Sequence, residues 1–151
     1  MLLVQASRDA LLKPLTTVVG IVERRHTLPI LANILLRKEG SRVSFIATDL
    51  EVQITTHADF GVGDDMVSTT VAARKLLDIL RALPGSGEVS LSLEDGKLLI
   101  QSGRSRFALQ TMDAGDFPTL VQPAQWDVSF ALEQKALKHL LNTVHFAMAQ
   151  Q

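Results

Sequence analysis

The pattern of apolar and polar positions divides the chain into a strand-then-helix motif that recurs. In the stretch AARKLLDILRALP at 72–84, Leu76, Leu77, Ile79, Leu80 and Leu83 fall at helical spacing. Arg74, Lys75, Asp78 and Arg81 occupy the other face. A strand-like run at 67–71 leads into this helix, and three more follow it. Similar openings occur at 2–20 and at 128–151. Helices predicted over 7–20, 72–83 and 132–150 recur at about 60-residue intervals, the mark of a modular chain.

Within the first motif a strand is predicted at 2–6, followed by Ser7 as helix N-cap and Asp9 at the positive helix end. Ala10, Leu11, Leu15, Val18 and Val19 form its apolar side, and Pro14 should kink it. Strands follow at 30–38, 42–48 and 50–57, then a surface loop at 58–65. In the second motif, strands at 88–93 and 98–102 flank Asp95-Gly96, a strong hairpin signal, and the last strand runs over 104–111. Residues 112–125 read as a linker. The third motif has a strand at 127–130 and a helix with Leu137, Leu140, Leu141, Val144 and Met148 on one side. Without strands of its own that helix would stay uncovered, so the chain reads as a fragment cut within its third copy.

Composition narrows the class. The 151 residues, 46% hydrophobic and 21% charged, suffice for one domain with a core and a remainder. No apolar run reaches the roughly 18 residues of a membrane span, and the start lacks a signal-peptide pattern, so a cytoplasmic protein without membrane association is expected. There is no cysteine, which removes disulfides, thiolate zinc sites and thiol nucleophiles. The net charge of −1 is unlike a nucleic-acid binder, but the charges are sorted. The three helical stretches hold 7 bases and 3 acids, and the remainder 8 bases and 13 acids. Such sorting places a positive field on the helical face.

Little in the chain resembles catalytic chemistry. His139 and His145 are six apart, not the i, i+4 spacing of a helical metal pair, and no metal or cofactor is expected. The serines lie near no convincing histidine–acid pairing. Asp49 and Glu51 alternate in strand register beside a turn, which leaves a metal-dependent, DNA-acting enzyme as an alternative to simple turn capping. The basic residues Arg24 and Arg25 in a loop, with Lys13, Arg74 and Arg81 on helices, suit phosphate contacts that carry no sequence preference. In the strand 104–110, Phe107 and Leu109 share one face while Arg104, Arg106 and Ala108 share the other. A closing strand of this kind suits a sheet edge open to another chain, and an oligomerisation module is a second alternative.

The stretches TLPILANILL at 27–36, TDLEVQI at 48–54, VAARKL at 71–76, SGRSRF at 102–107 and DFP at 116–118 resemble the bacterial DNA polymerase III beta subunit family, the sliding clamps. The resemblance spans nearly the whole chain. It implies an α+β DNA-clamp fold, with two βαβββ units per domain and helices on one face of antiparallel sheets. It further implies a first domain at 1–122 and the start of a second at 123–151. The expected function is that of a non-catalytic processivity factor. It would encircle double-stranded DNA as a head-to-tail dimer, with polymerase III and the clamp loader bound through domains absent from these residues. By the same resemblance Arg25 and Gln151 match DNA-contacting residues, and Arg74 and Arg81 fall on a helix facing the hole. Lys75, Ile79, Arg104, Phe107 and Leu109 match the dimer interface, and Arg106 is grouped with them. The chain departs from the family at His26, where some members have proline.

Overall fold

Ser7 closes one element and opens the next. It is the last residue of strand β1 (Leu2–Ser7) and the N-cap of helix α1 (Arg8–Val19), its Oγ accepting from the Ala10 N–H at 3.3 Å. The computed structural model describes residues 1–22, 28–85, 87–120 and 128–148, in two compact units, Met1–Leu120 and Val121–Gln151. In the first unit, α1 is followed by a short 3₁₀ turn (Pro29–Ala32) and strands β2 (Asn33–Glu39), β3 (Arg42–Thr48) and β4 (Gln53–Asp59). The order then repeats as β5 (Met66–Ala72), α2 (Ala73–Ala82), β6 (Glu88–Glu94), β7 (Lys97–Ser102) and β8 (Ser105–Met112).

Two βαβββ copies therefore build one antiparallel sheet, ordered β1-β6-β7-β8-β5-β2-β3-β4. Each copy lends its first strand to the other, since β1 pairs with β6 and β5 with β2. Two matching joints connect the halves. Residues 105–110 of β8 pair with β7, and Thr111 and Met112 then pair with Val71 and Thr70 of β5. On the opposite side, the chain past β4 pairs with β1: Val62 N–H donates to the Leu3 carbonyl at 3.0 Å, and Gln5 N–H to the Phe60 carbonyl at 3.3 Å. The sheet thus curls around the two helices.

Burial follows this curl. Leu11, Leu15 and Val18 of α1 and Leu76, Leu77 and Leu80 of α2 pack with Ile34, Leu36, Phe45, Val71, Leu91, Leu98 and Ile100 in one core. A smaller cluster of Ile30, Leu31, Leu35, Ile46 and Phe117 covers the outer face of β2 and β3. It explains why β2 is buried on both faces and reads as a continuous apolar run. The Asp95-Gly96 turn has φ of 47° and 70°, the two positive values that a type I′ hairpin requires.

Several expectations need correction. The strand expected from residue 50 begins at Gln53, because residues 49–52 form a turn in which Leu50 has φ of 82°. The 58–65 loop is partly strand, continuing β4 to Asp59 and then pairing with β1. The strand predicted at 30–38 starts as a 3₁₀ turn, and the linker region holds both a second 3₁₀ turn (Ala114–Asp116) and the buried Phe117. Helix α1, with Pro14 inside it, spans Arg8 to Val19, one residue shorter at each end than the predicted 7–20. In the second unit, 128–130 is not a strand, and helix α3 (Gln134–Val144) is shorter than the predicted 132–150. Leu137, Leu140, Leu141 and Val144 of α3 are exposed.

Candidate nucleic-acid interface

Because α1 and α2 bury their leucine and valine stripes, their polar stripes are turned outward. Lys13 of α1 is exposed, as are Arg74, Lys75, Asp78 and Arg81 of α2. A shallow cleft of about 390 Å³ is lined by Arg74, Leu77, Asp78 and Arg81. Asp78 lies one turn from each arginine, so the positive field is divided rather than continuous. Neither Lys13, Lys75 nor Arg81 makes an ion pair among the described residues, where the pairs are Arg8–Asp9 at 2.9 Å and Arg106–Glu94 at 3.6 Å. Arg24, Arg25 and Gln151 lie outside the described residues.

The two helices run antiparallel, and an arginine crosses from each to the other's far end. Arg8 Nη1 donates to the Leu83 carbonyl at 2.8 Å, just past α2, and Arg74 Nη2 donates to the Val22 carbonyl at 2.6 Å, just past α1. Sequence reasoning missed Arg8 in this role, since nothing in local spacing announces a partner 75 residues away.

The second group of residues gathers around β8. This strand is not a simple sheet edge as expected: it lies inside the strand order, and only residues 105–110 are unpaired on one side among the described residues. Phe107 stands opposite Ile100 and Leu109 opposite Leu98, so both point to the core side. Leu109 packs against the core while Phe107 remains 38% exposed. Helix α2 packs against β8, and its Lys75 is exposed and its Ile79 half-buried against the core. Arg104 is exposed in the turn before β8. Arg106 lies on the other face, reaching Glu94.

The carboxylates at 49 and 51 do not alternate on a strand. Asp49 Oδ1 accepts from the Glu51 and Val52 N–H groups at 3.0 and 2.7 Å, and Thr48 Oγ1 accepts from Leu50 N–H at 3.0 Å while donating to the Val52 carbonyl at 2.8 Å. Asp49 is a turn-capping residue. One serine–histidine contact does exist, Ser44 Oγ to His57 Nδ1 at 2.8 Å across the β3–β4 ladder, which only knowledge of the strand register could have revealed. It is exposed and shows no acidic partner among the described residues' hydrogen bonds. Among the described residues no three histidine or acidic side chains cluster as metal ligands, and no helix is long and apolar enough to cross a membrane.

A curled antiparallel sheet of two βαβββ copies, wrapped around an antiparallel pair of helices with outward basic side chains, defines the DNA-clamp fold. The N-terminal domain model of the DNA polymerase III beta subunit matches residues 2–121, and the chain belongs to that family. It is 45% identical over 144 residues to the beta sliding clamp of Pseudomonas aeruginosa, and 42% identical to that of Escherichia coli K12, covering 95% of this chain in both cases. It also superimposes on the crystal structure of the DNA polymerase III subunit beta from Pseudomonas aeruginosa with a TM-score of 0.89 at 42% identity. That match covers 99% of this chain and 40% of the other. The chain spans 39% of the length of these curated relatives.

Proposed function

We propose that the chain forms the first domain of a sliding clamp, residues 1–122, together with the start of a second, 123–151. In this reading the whole protein is a non-catalytic processivity factor of the cytoplasm. It closes head to tail into a dimeric ring around duplex DNA and tethers the replicative polymerase. The observation that carries the proposal is the helix pair, which offers Lys13 and Arg81 to solvent on the side away from the sheet. Arg24, Arg25 and Gln151 complete the set of DNA-contacting residues. Such contacts go to phosphates and steer the duplex, while closure of the ring does the holding.

Lys75, Ile79, Arg104, Arg106, Phe107 and Leu109 form one half of the dimer interface. The unpaired side of β8 at 105–110 supports this assignment, because an open strand side with an apolar residue beside it accepts a partner strand. Polymerase III and the clamp loader bind through later domains of the whole protein.

Titration of this chain with duplexes of unrelated sequence, at several salt concentrations, tests the proposal. Weak binding that is indifferent to sequence and falls steeply with salt is expected. Tight, sequence-selective binding would overturn it.

A further inference from the structure

The helix pair carries two kinds of basic residue, and the structure separates them. We infer that Arg8 and Arg74 are positioning residues that lock the helix pair, whereas Lys13 and Arg81 supply its phosphate contacts. The second half of that statement rests on the DNA-facing role proposed above.

The two arginines are related by the repeat. Arg8 is the first residue of α1, and Arg74 is the second of α2. Each reaches the carbonyl that follows the other helix, at Leu83 and Val22 respectively. Carbonyls at a helix C-terminus lack intrahelical partners and sit at the negative end of the dipole, so a cation is favoured there. Helix α1 has no basic residue in its own last turn, and Arg74 supplies that cation from the neighbouring helix. Val22 is buried, so its carbonyl needs a partner from the protein.

Arg8 is fully engaged. Its Nε and Nη2 donate to Asp9 Oδ1 at 3.0 and 2.9 Å while Nη1 holds Leu83, and its side chain is 24% exposed. A Cβ at Gly85, in the turn beyond the α2 C-cap, would stand only 3.2 Å from Arg8 Nη2, so glycine there leaves room for this guanidinium. At 2.6 Å the Arg74 bond is short, as charge-assisted bonds are. Lys13 and Arg81 differ, for neither side chain makes a hydrogen bond or ion pair among the described residues. They are free to meet phosphates.

The test uses Arg74→Gln, Arg74→Lys, Arg81→Gln and Lys13→Gln in this chain. Binding to a short duplex is followed against salt, alongside amide hydrogen exchange at residues 18–22. Arg81→Gln should make the logarithmic salt slope shallower by about one and leave exchange unchanged. Arg74→Gln should speed exchange at 18–22 by about tenfold or more and preserve the slope, because it removes the cation held on the Val22 carbonyl, whereas Arg74→Lys, which keeps a cationic donor, should preserve the slope and speed exchange less. Arg74→Lys keeps the charge and the long stem, so it remains informative if Arg74→Gln folds poorly. A shallower slope in Arg74→Gln, with normal exchange and with Arg74→Lys restoring binding, would make Arg74 a contact residue and overturn the inference. If Arg81→Gln and Lys13→Gln leave DNA binding untouched while the Arg74 variants speed exchange, the DNA-face reading falls and the cross-helix lock stands.

Discussion

Val71 of β5 and Thr111 of β8 are register partners, and they mark the point where β8 passes from one half of the sheet to the other. Upstream of Thr111 the strand keeps β7 on one side and has nothing on the other among the described residues. A partner strand laid there would meet Phe107, which is already 38% exposed. Phe107→Ala in the full-length polypeptide should therefore weaken self-association about tenfold or more, measured by analytical ultracentrifugation. The same change in this chain should cost under about 1 kcal/mol in urea denaturation, far less than truncating a core phenylalanine. Unchanged self-association would show that the interface lies elsewhere.

Lys38 is a fully buried cation on β2, and its Nζ donates to the Gly63 and Asp65 carbonyls at 2.9 Å each. It fastens the segment that joins β4 to β5. Lys38→Met keeps much of the volume but removes both hydrogen bonds to the Gly63 and Asp65 carbonyls, each worth roughly 1.5–3 kcal/mol for a charged donor. A loss of about 2–4 kcal/mol in denaturant unfolding is expected, with faster hydrogen exchange at 60–65.

Gly61 lies where the chain past β4 crosses the β2–β3 turn. A Cβ there would collide with the Gly40 carbonyl oxygen and press on that of Ser41. Gly61→Ala should destabilise by about 1–3 kcal/mol, the range for steric overpacking, and should loosen the pairing of 60–62 with β1. Stability equal to the parent would mean that this joint is not tightly packed.

Asp49 organises the turn before β4, its Oδ1 accepting from the Glu51 and Val52 N–H groups. Asp49→Ala should cost about 1–2 kcal/mol by removing the acceptor of two backbone N–H groups, and Asp49→Asn, which keeps one oxygen, should cost less. Leu50 beside it, at φ of 82°, should tolerate Leu50→Gly with little loss or a gain, because glycine adopts that conformation freely. Incubation of this chain with plasmid and magnesium should give no cleavage. Cleavage abolished by Asp49→Ala would revive the enzymatic alternative.

What the sequence disclosed follows from the range of the interactions involved. The Leu76, Leu77, Leu80 stripe and the Asp95-Gly96 turn are local, and both stand where periodicity and turn chemistry put them. The repeated order of strands and helix was legible for the same reason. Phe117 looked like part of a linker because its partners Leu35 and Ile46 come from distant strands. Leu50 looked like a strand residue, since its apolar side chain fits the alternation and no pattern encodes a positive φ on leucine. On the candidate faces, residue types were readable but their engagement was not. Arg74 and Arg81 look equivalent on a helical wheel, and only the Val22 carbonyl distinguishes them. Likewise β8 seemed an outer strand, whereas its last two residues leave β7 and pair with β5, which puts β8 inside the strand order.

The central claim is that these residues belong to a ring that holds DNA by topology. The most direct measurement is the retention of the polypeptide, as its own cell makes it, on nicked circular DNA after enzymatic loading, before and after the circle is cut once. Stable retention on the circle and rapid loss from the ends of the linear form are expected. Equal retention on both forms would contradict that claim, because a protein held by contacts alone does not notice whether its DNA has ends.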